Sequence, residues 1–88
     1  MQTKKVQVKS KSGLHARPAG LLVALSQKFK SEIFIEKDGK AVNGKSIMGI
    51  LSLGTSHGDE LVIKADGHDE DDAVVALEEL FNTRLAHE

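Results

Sequence analysis

The sequence has no cysteine, which excludes disulfides, thiolate metal sites and thiol nucleophiles from the outset. Tryptophan and tyrosine are also absent, and 12 Lys and Arg residues are set against 13 Asp and Glu. Without a basic excess or broad aromatic faces, direct nucleic-acid binding has little to work with. Long hydrophobic runs are missing as well. The longest, Ala19 to Leu25, is far too short to cross a bilayer, so no membrane insertion is expected. The charged, alternating stretch from Met1 to Lys9 is unlike the apolar core of a secretory signal, and a cytoplasmic location is the expectation. What is present is a globular balance, 40% apolar and 28% charged residues in a chain of 88. That length supports one modest core, so a single domain over residues 1–88 is expected, with its chemistry on the surface.

Periodicity divides the chain into seven elements. Val6 and Val8 alternate with Lys5, Gln7 and Lys9, as a strand with one buried face requires. Pro18, Leu22, Leu25 and Phe29 then recur at helical spacing. The only proline fits a helix just inside its first turn, so the helix must begin near His15. Glu32 to Lys37 and Lys40 to Asn43 flank Asp38-Gly39, a strong hairpin signal. Ser46 is a good N-cap for a short helix from Ile47 to about Leu53, closed by Gly54. Leu61, Ile63 and Ala65 mark a fourth strand, and Asp69 can cap a last helix with the stripe Ala73, Leu77, Leu80 and Phe81. The order is β-α-β-β-α-β-α. Placing the fourth strand between the first and second makes every neighbour antiparallel. The expected fold is therefore α+β, an open-faced sandwich with sheet order 1-4-2-3 and three helices on one face.

The chemistry concentrates in Gly13-Leu14-His15-Ala16-Arg17-Pro18. A helix N-terminus presents free N–H groups and a positive dipole end, so a phosphoryl group on His15 would meet donors such as the Ala16 amide. Arg17 can add a charged fork of donors, and Gly13 permits close backbone approach. From spacing alone, His15 could equally be a helix cap and Arg17 an ordinary solvated side chain.

This stretch, together with Lys45-Ser46-Ile47-Met48-Gly49 and the element order, resembles the HPr family nearly end to end. These are the histidine-containing phosphocarriers of the phosphoenolpyruvate-dependent sugar phosphotransferase system. The resemblance implies a carrier rather than a stand-alone enzyme, with no cofactor. The histidine matching His15 would take a phosphoryl group on Nδ1 from enzyme I and give it to the IIA units of sugar permeases, with Arg17 contacting the group. It further implies, from the Gram-positive branch, that an HPr kinase/phosphorylase modifies Ser46 and that the modified form docks on a catabolite-control repressor. Gly20, Ile47, Met48 and Leu51 would belong to the partner-binding surface, and the chain would act as a monomer. Gly20 stands where the family usually has Ala or Thr. A regulatory relative, Crh, has glutamine in place of the active histidine, whereas this chain retains His15.

Two other patterns suggest different chemistry. Gly39 to Ser46 satisfies the P-loop expression GxxxxGK[ST]. Its first glycine, however, falls in a hairpin turn and its middle in a strand, whereas a nucleotide loop joins a buried strand to a long helix. His57, His68 and His87, with the acidic run Asp69 to Asp72, do not share a metal-ligand spacing, and no metal site is expected. Two functional classes stay open: a phosphoryl carrier, and a regulatory binding module that uses Ser46 without histidine chemistry.

Overall fold

Alternation of apolar and polar residues builds the sheet. The computed structural model describes all 88 residues, Met1 to Glu88. Its strands are β1 (Gln2–Gln7), β2 (Glu32–Lys37), β3 (Lys40–Asn43) and β4 (Glu60–Asp66). They lie in the order β1-β4-β2-β3, with every neighbouring pair antiparallel. The register sets Val6 opposite Leu61, Ile33 opposite Ala65, and Ile35 opposite both Ile63 and Val42. Because successive side chains point to opposite faces, these residues gather on one side. The other side carries Thr3, Lys64, Phe34 and Asn43 in one row, and Lys64 pairs with Glu36 at 2.6 Å.

Helices α1 (Ala16–Ser26), α2 (Ile47–Leu51) and α3 (Glu70–Asn82) cover the apolar face. Ala19, Leu22, Ile50, Ala73, Leu77 and Phe81 meet the strand residues in one buried cluster. Each large side chain removed from water there contributes about 1.5–3 kcal/mol. Between β2 and β3, Asp38 and Gly39 both have positive φ, 51° and 83°. That is the type I′ geometry whose twist matches a two-residue hairpin. The open-faced sandwich expected from connectivity is thus the fold observed.

Several boundaries differ from the sequence reading. β1 runs from Gln2 and ends at Gln7, one residue before Val8, whose backbone bonds instead to the loop before β4. Phe29 lies beyond the end of α1, in a turn where its N–H donates to Ser26 O. α2 stops at Leu51 rather than about Leu53, because beyond the Ser52 amide, which still donates to Met48 O, those of Leu53 and Gly54 donate three residues back in a tightened turn. After α3 a 3₁₀ turn, Arg84–His87, buries Leu85; its short period was not recognisable in the sequence.

Asp69 corrects a further expectation. It stands at the N-cap position of α3, yet its side chain makes no cap bond. The carboxylate instead reaches across to the turn before β2, accepting from Lys30 N–H at 2.8 Å, from Ser31 N–H at 2.9 Å and from the Ser31 hydroxyl. Those donors, led by the Ser31 hydroxyl and the Lys30 amide, pull its pKa from 3.8 down to about 2. Because the folded carboxyl ionises more readily than the unfolded one, its stabilisation is complete above pH 3.8 and fades as pH falls toward about 2. Urea unfolding of the parent should therefore show stability dropping through that window. Asp69→Asn should be less stable at neutral pH and show a shallower acid decline; an unchanged acid slope would rule out this cross-link as its source.

Gly20 lies inside α1, and a Cβ added there would meet nothing within 4 Å. Glycine in a helix costs about 0.8–1.0 kcal/mol relative to alanine. Gly20→Ala should raise the melting temperature by roughly 4–8 °C for a domain of this size, measurable by thermal denaturation.

Candidate functional site

The segment between β1 and α1 is a corner held from several directions. Val8 N–H donates to Asp59 O and Gly58 N–H to Val8 O, both at 2.8 Å. The buried Ser10 hydroxyl donates to Gly13 O at 2.6 Å, while Gly13 N–H donates to Ser10 O at 3.3 Å. Gly13 has φ +70°, and a Cβ there would fall 2.2 Å from Thr55 O. Only glycine fits that position. The close backbone approach expected of Gly13 is thus an approach to the loop after α2. Leu14 is buried, and its N–H donates to Thr55 Oγ1 at 2.8 Å.

His15 follows as the N-cap residue of α1, in extended conformation with φ −76° and ψ −170°. Its carbonyl accepts from Ala19 N–H at 2.9 Å, but its imidazole makes no cap bond. The side chain is therefore exposed and uncommitted. Ala16, Arg17 and Pro18 form the first turn: Ala16 and Arg17 N–H have no acceptor within the chain, and Pro18 has no N–H to satisfy. An exposed imidazole thus stands beside two free amides at the positive end of an eleven-residue helix. This arrangement can stabilise an anionic group attached to the ring.

The Arg17 side chain, 77% exposed, reaches Glu88, with Nε 3.0 Å from the carboxylate Oε1. The guanidinium is largely open to solvent although the Glu88 side chain is only 15% exposed, so Arg17 stays accessible to a second anion. A phosphoryl dianion would compete well for it, since guanidinium binds phosphate through a fork of charged hydrogen bonds. Nothing in the local sequence around Arg17 signals Glu88, because only the final turn brings it there.

Ser46 is the N-cap of α2, as its spacing predicts, with Oγ accepting from Gly49 N–H at 3.1 Å. On the helix behind it, Ile47, Met48 and Leu51 are large apolar residues left exposed, Met48 by 74%. α2 packs against α1, with Lys45 before it reaching Phe29 after α1 and Thr55 after it reaching Leu14 before α1. Gly20 is partly exposed on α1. In the P-loop-like stretch, Gly39 is in the hairpin turn, Lys40–Asn43 is β3, and Lys45 Nζ donates to Phe29 O at 2.7 Å. The lysine a nucleotide loop would aim at phosphate is instead tied to the backbone. His57, His68 and His87 are each exposed, and no three His, Asp or Glu residues converge in a metal-holding geometry.

Comparison with known proteins covers most of the chain. Residues 2–83 match the PTS-HPr family model, described as the PTS HPr component phosphorylation site. The HPr-like protein Crh of Halalkalibacterium halodurans is 53% identical over 77 residues, 88% of this chain and 92% of the relative. HPr-C-His from Thermoanaerobacter tengcongensis has a TM-score of 0.94 at 48% identity, covering 100% of this chain and 99% of that one. Crh of Bacillus subtilis, solved as a domain-swapped dimer, has a TM-score of 0.74 at 46% identity over 96% of this chain and 95% of that one. Since these matches run through both the histidine corner and the Ser46 helix, the chain belongs to the HPr family.

Proposed function

We propose that residues 1–88 act as one HPr-like phosphocarrier domain in the cytoplasm, working as a monomer. The observation that carries this reading is the exposed His15 imidazole, uncommitted to any cap bond, beside the unpaired Ala16 and Arg17 amides. In the transfer step, His15 Nδ1 attacks the phosphorus carried by phosphorylated enzyme I. An N–P bond forms as the bond to the donor breaks. The added negative charge lies against the two amides and the Arg17 guanidinium, each charge-assisted bond contributing about 1.5–3 kcal/mol. The reverse geometry delivers the group to a IIA unit of a sugar permease. The protein is spent and regenerated in every cycle, so it is a carrier and not a stand-alone enzyme.

Gly20, Ile47, Met48 and Leu51 form the surface offered to these partners. Three exposed apolar side chains beside a phosphorylation site suit transient docking better than solubility. Ser46, at the edge of that patch, is the site for an HPr kinase/phosphorylase, and its phosphorylated form fits a basic pocket on a catabolite-control repressor. A second reading, a regulatory module acting through Ser46 alone, is favoured by the similarity to Crh. The retained His15 favours the carrier. Incubation with phosphoenolpyruvate and enzyme I separates the two: an acid-labile phosphate on the chain supports the carrier. Acid-stable phosphate from ATP with no acid-labile counterpart leaves the regulatory module alone.

A further inference from the structure

Thr55 lies 41 residues from Leu14 in sequence, in the loop that leaves α2, yet its hydroxyl accepts the Leu14 N–H at 2.8 Å. That amide belongs to the Gly13–Leu14 peptide, one link before the peptide that joins Leu14 to His15. The contact is reinforced by the backbone of the same residue, since Gly13 packs so closely on Thr55 O that no side chain could be tolerated there. The loop carrying Thr55 is itself braced from the opposite side. Lys37 Nζ donates to Gly54 O at 2.9 Å and pairs with Asp59 Oδ2 at 3.0 Å. The same Asp59 oxygen accepts from Ser56 N–H at 2.7 Å. Asp59 O then holds Val8, at the beginning of the corner. The histidine segment is thus fastened at both ends, by Asp59 at Val8 and by Thr55 at Leu14.

We propose that Thr55 is a positioning residue for His15: through the Leu14 N–H, it fixes the corner that sets the imidazole against the free amides of α1. This rests on the carrier reading above. Leu14 is buried, so without the hydroxyl its amide would be left with no acceptor in a poorly hydrated place. The peptide between Gly13 and Leu14 would then turn in search of one, carrying the His15 Cα with it. Hydrogen bonds to a phosphoryl group depend on placement within a fraction of an ångström, so a modest turn there is felt in transfer rather than in overall folding.

The test compares Thr55→Val, which keeps the shape and removes the acceptor, with Thr55→Ser, which keeps the acceptor. Phosphorylation of His15 from phosphoenolpyruvate and enzyme I is followed at saturating donor, together with amide hydrogen exchange. Thr55→Val should slow phosphorylation by about three- to tenfold and speed Leu14 amide exchange by about tenfold, leaving the slowest core amides of α3 and β4 unchanged. Thr55→Ser should restore both to within about twofold of the parent. Thr55→Ala serves as the second acceptor-free variant and should behave as Thr55→Val does, should the valine form fail to fold. If the parent takes up phosphate and the acceptor-free variants match its rate, or if Thr55→Ser transfers as slowly as they do, positioning by Thr55 is overturned. If the parent takes up none, the carrier reading itself falls.

Discussion

His15→Ala is expected to take up no phosphate from phosphoenolpyruvate and enzyme I while keeping the parent fold. The side chain is exposed and makes no hydrogen bond with the rest of the chain, so its removal should change stability by no more than about 0.5 kcal/mol. The loss of transfer, by contrast, should be complete, because no other histidine has the same surroundings. His68 is the instructive comparison. It also stands just before a helix, but the first turn of α3 carries Glu70, Asp71 and Asp72. Beside it, Asp69 is held ionised by the Ser31 and Lys30 donors, and the Gly67 amide is already taken by Glu70. A phosphoryl dianion on His68 would meet carboxylates where His15 offers free amides. His57 and His87 are exposed but do not head a helix. Circular dichroism should confirm that His15→Ala is folded, and acid-labile labelling gives the decisive reading. Label at normal yield on the alanine variant would refute the assignment of the acceptor.

The second large effect is expected at Ser46. Phosphorylation should leave α2 intact, since the seryl oxygen already caps the Gly49 amide and a phosphate there meets the positive end of the helix. Ser46 borders Ile47, Met48 and Leu51, so the surface changes far more than the fold. A dianion facing one partner carboxylate at about 4 Å costs on the order of 2 to 8 kcal/mol, depending on screening. Even the lower figure is more than tenfold in affinity, about 1.4 kcal/mol corresponding to each factor of ten. Aspartate carries half that charge, so Ser46→Asp should slow phosphorylation of His15 by about fivefold or more at low salt, with the deficit shrinking as salt rises. Ser46→Ala should transfer normally and lose the acid-stable phosphate derived from ATP. It should also lose about 1 kcal/mol of stability, because it has no cap for the Gly49 amide. If Ser46→Asp equalled the parent as a substrate at low salt, the electrostatic account would be wrong.

Local rules determined much of this protein. The alternation at Ile33 and Ile35 and at Leu61, Ile63 and Ala65, with Asp38-Gly39 between β2 and β3, was sufficient to place strands and a hairpin. Pro18 pinned the start of α1 within a residue of His15, because a missing N–H is harmless only in the first turn. Ser46 announced its own helix by spacing. Sheet order agreed with the connections, since β4 placed between β1 and β2 makes every neighbour antiparallel. In each of these cases the controlling interaction lies within a few residues or repeats along an element, which is why a linear pattern can carry it.

Tertiary structure decided what depends on groups distant in the chain. Asp69 had the position and chemistry of an N-cap, yet three donors at residues 30 and 31 outbid the helix for its carboxylate. Glu88 reaches Arg17 and Thr55 reaches Leu14 only after the sheet has assembled and the loops have been drawn together. No periodicity or local propensity encodes such meetings, because a short polar side chain forms whichever hydrogen bond the folded backbone brings within about 3 Å. The sequence alone therefore determined that His15 would head a helix with free first-turn amides. Long-range packing decided how firmly that place is held, because the corner before α1 has too few bonds of its own and borrows the rest from the loop after α2.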